Sequence, residues 1–189
     1  MFQTHLNHLL QSLESGFFTR LMKLISVVGM EYVIIPILLI LMFGLDFRKG
    51  FVMIQVTAWA AVLIGLLKNL FALPRPFDVD ASLKPFGAEY TLSENRFNTY
   101  GSGRFWGRLP TDMVQVLRDA GMDNYGMPSG HVTFSTTFFG TLSLLYRKIW
   151  VWVIASFFIL SMPVSRMYLS RHFLSDTLGG MALGGMIVF

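Results

Sequence analysis

Cysteine is absent from this chain of 189 residues, and charged residues are scarce. Without cysteine, disulfide bonds and thiol catalysis are excluded, and the redox compartment cannot be inferred. Charged residues make up only 14% of the chain and hydrophobic residues 53%, whereas soluble domains carry about 25% charged residues. The composition therefore predicts an integral membrane protein.

The sequence also lacks internal repeats, low-complexity segments and any dense block of basic residues. Its net charge of +4 is ordinary for a protein that lies against anionic lipid, so we expect a lipid bilayer as its partner and no nucleic acid. The N-terminal segment carries polar groups where a signal peptide has its apolar core, so we expect no cleavable signal. The sequence ends inside an apolar run, which is compatible with a truncated C-terminus.

Five apolar runs predict five membrane-spanning helices, because about 20 residues cross the hydrocarbon. Leucines at helical spacing in residues 1–23 predict a further helix that lies in the membrane interface. Glu31, inside the first run, could be functional or could pair with a basic residue of the bundle. The fold class is thus an all-α membrane bundle forming one domain, 1–189. The runs are 24–45, 51–71, 131–146, 149–164 and 173–189.

Residues 77–127 form a long connection of mixed charge without strong periodicity. A connector of this length is unusual in a compact protein, so we expect an extramembrane cap or lid. Its aromatic residues, interleaved with glycines, could contact lipid headgroups or an acyl chain. Alternatively, they simply fold the loop onto the bundle, which we slightly favour.

Polar residues gather in three clusters at the ends of the apolar runs. Counting membrane crossings places the end of the second run, the start of the third, and the connection between the fourth and fifth on one side. The basic pairs at 48–49 and 147–148 fall on the other side. Residues that merely end helices at the surface would rarely coincide in this way, so we favour a functional site. The gathered residues are Lys68, Arg75, Ser129, Gly130, His131, Arg166, His172 and Asp176.

The last cluster contains a histidine and an acid at helical spacing. His172 and Asp176 are four residues apart, so on a helix the carboxylate can hold one ring nitrogen while the other stays basic. That arrangement is typical of an activated nucleophile with an orienting acid. His131 adds a second histidine. Two histidines allow one to attack and one to protonate the leaving group, which is the division of roles that phosphoryl transfer by a covalent route requires.

Three cations and a helix N-terminus indicate that the site binds an oxyanion. Lys68, Arg75 and Arg166 supply positive charge, and arginine presents a fixed fork of donors. Gly130 allows an anion to approach the free N–H groups at the start of the third run. Phosphate fits such a site best. The cations would neutralise its charge as Mg²⁺ does in kinases, since no carboxylate cluster of metal-ligand type accompanies them.

Taken in this order, the three clusters resemble the signature of the type 2 phosphatidic acid phosphatases (PAP2), which share a core with vanadium haloperoxidases. That signature is a lysine, six residues and Arg-Pro; then Pro-Ser-Gly-His; then Ser-Arg, five residues, His, three residues and Asp. Every position is matched. The matching residues are Lys68 to Arg75-Pro76, Pro128-Ser129-Gly130-His131, and Ser165-Arg166 to His172 to Asp176.

The resemblance implies that His172 forms a phosphohistidine, that Asp176 orients it, and that His131 is the general acid. It implies a membrane-bound phosphatase of lipid phosphates or diphosphates that works without a metal ion or other cofactor. It also implies an extracytoplasmic site, which is periplasmic in a Gram-negative bacterium. Ser170 departs from the glycine that is common before the last histidine. The phosphate cradle would comprise Lys68, Arg75, Ser129, Gly130 and Arg166.

Two other functions stay open. A lipid phosphotransferase would pass the phosphate from His172 to another lipid headgroup instead of water. A phosphate-binding transporter would use the same cations but has no need of a nucleophilic histidine, so the pair of histidines argues against it. The lipid substrates to compare are phosphatidate, phosphatidylglycerol phosphate and polyprenyl diphosphate, and the sequence leaves the choice and the oligomeric state open.

Overall fold

The computed structural model describes residues 4–80, 82–86, 115 and 125–189, and all regular structure within them is helical. The all-α prediction is therefore confirmed. Most of the predicted cap, 77–127, lies outside the described residues. The helices are α1 (Thr4–Gln11), α2 (Gly16–Val28), α3 (Glu31–Ile40) with a π-helical turn (Leu41–Leu45), α4 (Phe47–Phe71), α5 (Pro76–Val79), α6 (Gly130–Tyr146), α7 (Ile149–Tyr168) and α8 (Leu174–Val188).

Helix α6 lies at the centre of the bundle and contacts α4, α7 and α8. It carries no charged residue after its first turn, and its surface alternates phenylalanine with serine, threonine and glycine. Small and hydroxyl side chains allow close approach between membrane helices and can bond across them. Phe134, Phe138 and Phe139 form its share of the main hydrophobic core. The N-terminus of this central helix is where the predicted anion site lies.

The N-terminal region differs from the prediction in two places. The single helix expected over 1–23 is two helices, because the chain breaks after Gln11 and Ser15 caps α2 by accepting a hydrogen bond from the backbone N of Phe18. The expected span 24–45 is also broken. It bends by 52° where α2 meets α3, since Gly29 ends α2 by donating its N–H back to the carbonyl of Ser26.

Among the described residues, two helices, α4 and α7, are long and apolar enough to cross a membrane, and the bent pair α2–α3 with its π-helical turn makes a third if it forms one span. The third and fifth predicted spans correspond to α6 and α8, which have 17 and 15 residues. These fall short of the ~20 residues of a straight crossing. Glu31 is the first residue of α3 and is exposed, so it lies where a helix N-terminus favours a carboxylate.

Glycines bring α8 against α6. A Cβ atom at Gly184 would lie 2.7 Å from the Cβ of Thr136 and 2.9 Å from the carbonyl oxygen of Thr133. We therefore expect Gly184→Ala to force the helices apart and to lower the free energy of unfolding by about 1–3 kcal/mol. Gly185→Ala is the matched control, because nothing lies within 4 Å of its Cβ position. Thermal unfolding in detergent tests this, and equal midpoints for both variants would contradict it.

Candidate active site

His172 lies in the loop between α7 and α8. Ser170 turns the chain there with a φ of 57°, in the left-handed region that glycine adopts most readily. This explains why glycine is common at that position in the family that the sequence resembles. The backbone N of Arg171 donates to the carbonyl of Arg166 (3.0 Å). The turn buries His172, which is only 1% exposed.

Asp176 lies in the first turn of α8, beside His172. Its Oδ2 accepts a hydrogen bond from the backbone N of Phe173 (2.9 Å) and lies 3.5 Å from Nδ1 of His172. The second distance is longer than that of a good hydrogen bond. The prediction had both residues on one helical face. Instead α8 begins at Leu174, and the two side chains meet because Asp176 caps the helix toward the loop.

The N-terminus of α6 is tied directly to α8. The backbone N of Ser129 donates to the carbonyl oxygen of Asp176 (3.0 Å), and the carbonyl of Ser129 accepts from the N and Oγ1 of Thr133. The first N–H groups of a helix have no partner within it. Two buried side-chain atoms, Oγ of Ser129 and Nε2 of His131, have no hydrogen-bond partner among the described residues. Donors thus collect at this end of α6.

The three predicted cations meet at the same end of the bundle. Ala72, in the left-handed region, ends α4 after Lys68 and turns the chain back, and Arg75 is buried in the connection that follows. Arg166 lies in the last turn of α7, where its Nη1 donates to Oγ of Ser26 (2.7 Å). Lys68 is close enough to Arg75, Arg166 and Asp176 for their charges to act on it.

Both histidines lie within the field of these cations. Arg75, Arg166 and Lys68 act on His131 and on His172. The predicted residues are therefore brought together from three separate parts of the chain. Among the residues that the structure describes, no group of three or more His, Asp or Glu side chains could hold a metal ion. The group that these side chains are suited to hold is an anion.

Loss of hydration on burial, reinforced by the charges of Arg75 and Arg166, lowers the pKa of His172 well below its usual value of 6.5. The imidazole in the loop is therefore neutral at neutral pH and keeps a lone pair on one nitrogen. A neutral imidazole is the form that can attack an electrophile.

Sequence reasoning missed three residues at this site. Asn7 is fully buried, and its amide reaches the loop of His172, as does the amide of Gln11. Their spacing of four residues within the leucine-rich helix α1 is the signal that could have drawn attention to them. Gly126 is the third, because its backbone N donates to the carbonyl of Leu73 (2.7 Å) and joins the first cluster to the second. A lone loop glycine gives no such signal.

Comparison with known proteins places this arrangement in a family. An undecaprenyl-diphosphatase of Sulfolobus acidocaldarius is 27% identical over 170 residues, which make up 89% of this chain and 66% of that protein. Two crystal structures share the fold, each at 19% identity. One is a PAP2-type phosphatidylglycerolphosphate phosphatase of Bacillus subtilis, with a TM-score of 0.72 over 99% of this chain and 81% of that one. The other is LpxE of Aquifex aeolicus, with a TM-score of 0.71 over 100% of this chain and 93% of that one.

The match to the family covers all three clusters. Residues 49–189 fit the model of the PAP2 superfamily, a stretch that begins in α4 and includes every residue of the site except those contributed by α1 and α2. More than half of the chain is thus matched, with the signature residues in place. The chain therefore belongs to the PAP2 superfamily.

Proposed function

We propose that this protein is a lipid phosphatase that hydrolyses a phosphate or diphosphate monoester through a phosphohistidine intermediate. The observation that carries the proposal is the setting of His172. Its ring is buried, one ring nitrogen faces Asp176 at 3.5 Å, and the charges of three cations converge on it. A neutral imidazole among fixed cations is suited to attack an anionic phosphoryl group, because the cations neutralise negative charge on the phosphoryl oxygens that would otherwise hinder the approach of a lone pair.

The proposed cradle explains two buried donors at the start of α6 that have no partner among the described residues. Buried polar atoms are normally hydrogen-bonded, yet Oγ of Ser129 and Nε2 of His131 are not. A phosphoryl group accepts hydrogen bonds on several oxygens, so one group could satisfy both atoms and the N–H groups of Gly130 and its neighbours. The cradle would comprise Lys68, Arg75, Ser129, Gly130 and Arg166.

The steps of the proposed reaction follow from which ring nitrogen of His172 is available to attack. Nδ1 of His172 faces Asp176, so Nε2 attacks phosphorus, and the P–N bond forms as the bond to the leaving oxygen breaks. His131 gives its proton to that oxygen. Water then attacks phosphorus while His131 takes a proton from it, the P–N bond breaks, and orthophosphate leaves. The proton therefore returns to His131 at the end of each cycle.

A lipid is the substrate class that suits a site at the end of these helices. The outer faces of α4 and α7 expose large apolar side chains, among them Trp59, Leu66, Phe157 and Leu160, which suit contact with acyl chains. The names of the Sulfolobus and Bacillus proteins support polyprenyl diphosphate and phosphatidylglycerol phosphate as members of the class. The basic pairs at 48–49 and 147–148 would be cytoplasmic by the positive-inside rule, so the site would face the opposite, extracytoplasmic side.

His172→Ala tests the nucleophile. With EDTA present, we expect the purified protein to release phosphate from at least one of phosphatidate, phosphatidylglycerol phosphate and undecaprenyl diphosphate. The variant should lose about 10³-fold or more of kcat, because it has no group to form the intermediate. His5→Ala is the matched control, since that histidine is exposed on α1. Equal release by the His172→Ala variant would refute the proposal. Phosphate found on an added acceptor lipid would indicate a transferase instead.

The pH profile gives a second test. Because burial lowers the pKa of His172, its neutral form persists as the pH falls through 6.5, and protonation removes the nucleophile only below that value. We expect the acid limb of kcat/KM, which reports the free enzyme, to lie below pH 6.5. The titration of the substrate phosphate is measured separately by phosphorus NMR. An acid limb at or above 6.5 would contradict the expected state of His172.

Gly126→Ala tests the packing around Asp176. A Cβ atom at residue 126 would lie 2.7 Å from the carbonyl oxygen of Pro74 and 3.0 Å from Oδ2 of Asp176. We expect the variant to displace that carboxylate and to lower kcat about 10- to 100-fold, since small misplacements of a catalytic group are costly. Gly65→Ala is the control, because nothing lies within 4 Å of its Cβ position. Unchanged kcat in both variants would show that the carboxylate of Asp176 is not displaced by a methyl group at residue 126.

A further inference from the structure

Helix α1 reaches across the bundle to the loop that carries His172. Nδ2 of Asn7 donates to the carbonyl oxygen of Met167 (2.8 Å) and to the carbonyl oxygen of His172 itself (3.2 Å). Asn7 is 0% exposed. A buried amide that bonds two carbonyls fixes the distance between them. These two carbonyls mark the end of α7 and the far end of the loop.

Gln11, one helical turn after Asn7, holds the middle of the same loop. Its Nε2 lies 3.0 Å from the carbonyl oxygen of Tyr168 and 2.6 Å from Oγ of Ser170. Its Oε1 accepts from the backbone N of Lys84 (3.1 Å). The last carbonyls of a helix have no partner within it, and the amide of Gln11 bonds one of them, that of Tyr168.

The contact with Ser170 falls on the strained residue of the loop. Ser170 has a φ of 57°, and a residue other than glycine keeps such a conformation only where its surroundings enforce it. The hydrogen bond from Gln11 to its hydroxyl is one such constraint. Glycine would adopt this turn unaided. Serine can occupy the position because the hydrogen bond from Gln11 of α1 keeps its backbone in that conformation.

We propose that Asn7 and Gln11 are positioning residues that fix the backbone of the loop so that His172 faces the phosphoryl group. This inference rests on the proposed role of His172 as nucleophile. The two amides act on the backbone and not on the substrate. Helix α1 precedes residues 49–189, the part of the chain that fits the family model, so this support for the nucleophile comes from outside that part.

Helix α1 has further anchors that do not involve the loop. Nε2 of His8 lies 2.9 Å from Oδ2 of Asp80, and Nζ of Lys84 lies 2.7 Å from Oε2 of Glu14, just after the helix. Removal of the amide of Asn7 leaves both contacts in place. The helix is therefore expected to stay docked in a variant that lacks this amide.

The test measures the rate at which the enzyme is phosphorylated, separately from substrate binding and stability. In Asn7→Ala we expect the rate of phosphohistidine formation, trapped by rapid quench, and kcat to fall about 10- to 100-fold. KM should stay within about twofold, because the cradle is untouched. The matched control is Asn69→Ala, since the amide of Asn69 is exposed and bonds only to Gly65 of its own helix in the described structure.

A double-mutant cycle makes the test independent of how well Asn7→Ala folds. Glycine adopts a positive φ without help, so the loss of kcat caused by Gln11→Ala should be smaller when Ser170→Gly is also present. A residue that only stabilised the fold would give the same loss in both backgrounds. The coupling is expected in kcat and not in KM.

The outcomes separate this inference from the proposed function. Slower phosphorylation in Asn7→Ala and coupling between positions 11 and 170 support it. If wild-type His172 is phosphorylated and Asn7→Ala is phosphorylated at the same rate, the inference is wrong and the lipid phosphatase still stands. If Asn7→Ala does not fold, the same conclusion follows when Gln11→Ala loses the same factor of kcat with Ser170 and with Gly at position 170. No phosphohistidine in the wild type overturns the proposed function and this inference with it.

Discussion

The concentration of positive charge at one end of the helix bundle is the constraint on which the rest of the structure depends. Arg75 and Arg166 are each about 95% buried, and a buried cation destabilises a fold unless it has partners. Arg166 bonds Ser26 of α2, and the carboxylate of Asp176 lies within the field of Lys68. The bend after α2, the cap of α8 and the buried donors at the start of α6 all lie around this charge. A bound anion would offset this positive charge and accept hydrogen bonds from these donors.

Much of this could be predicted from the sequence, because it depends on patterns along the chain. Apolar runs of the right length locate most of the helices, and counting crossings brings Lys68, His131 and His172 to one side of the membrane. The break at Gly29 was missed for a physical reason. Glycine is common within membrane helices, and a Cβ there would lie 2.8 Å from Cε of Met162 and 3.3 Å from Cβ of His131, contacts that hydropathy does not register.

The contributions of α1 could not be predicted in the same way. Asn7 and His172 are 165 residues apart, and no local pattern links a leucine-rich helix to a loop at the other end of the chain. The meeting of His172 with Asp176 was expected, but from helical spacing, whereas the actual cause is a helix cap. The spacing of four residues between His172 and Asp176 is compatible with a shared helical face and with a helix cap. Which residue begins the helix had to come from the structure.

The bonds from α1 to the loop also constrain the order in which the protein is made. The first helix leaves the ribosome long before α7, yet the carbonyl that Asn7 binds at Met167 is synthesised 160 residues later. Contacts so distant in sequence form late, after the intervening helices are in place. During membrane insertion α1 is therefore without these partners until α7 and the loop have been made. The loop of His172 takes its final shape only once the last third of the chain has been inserted.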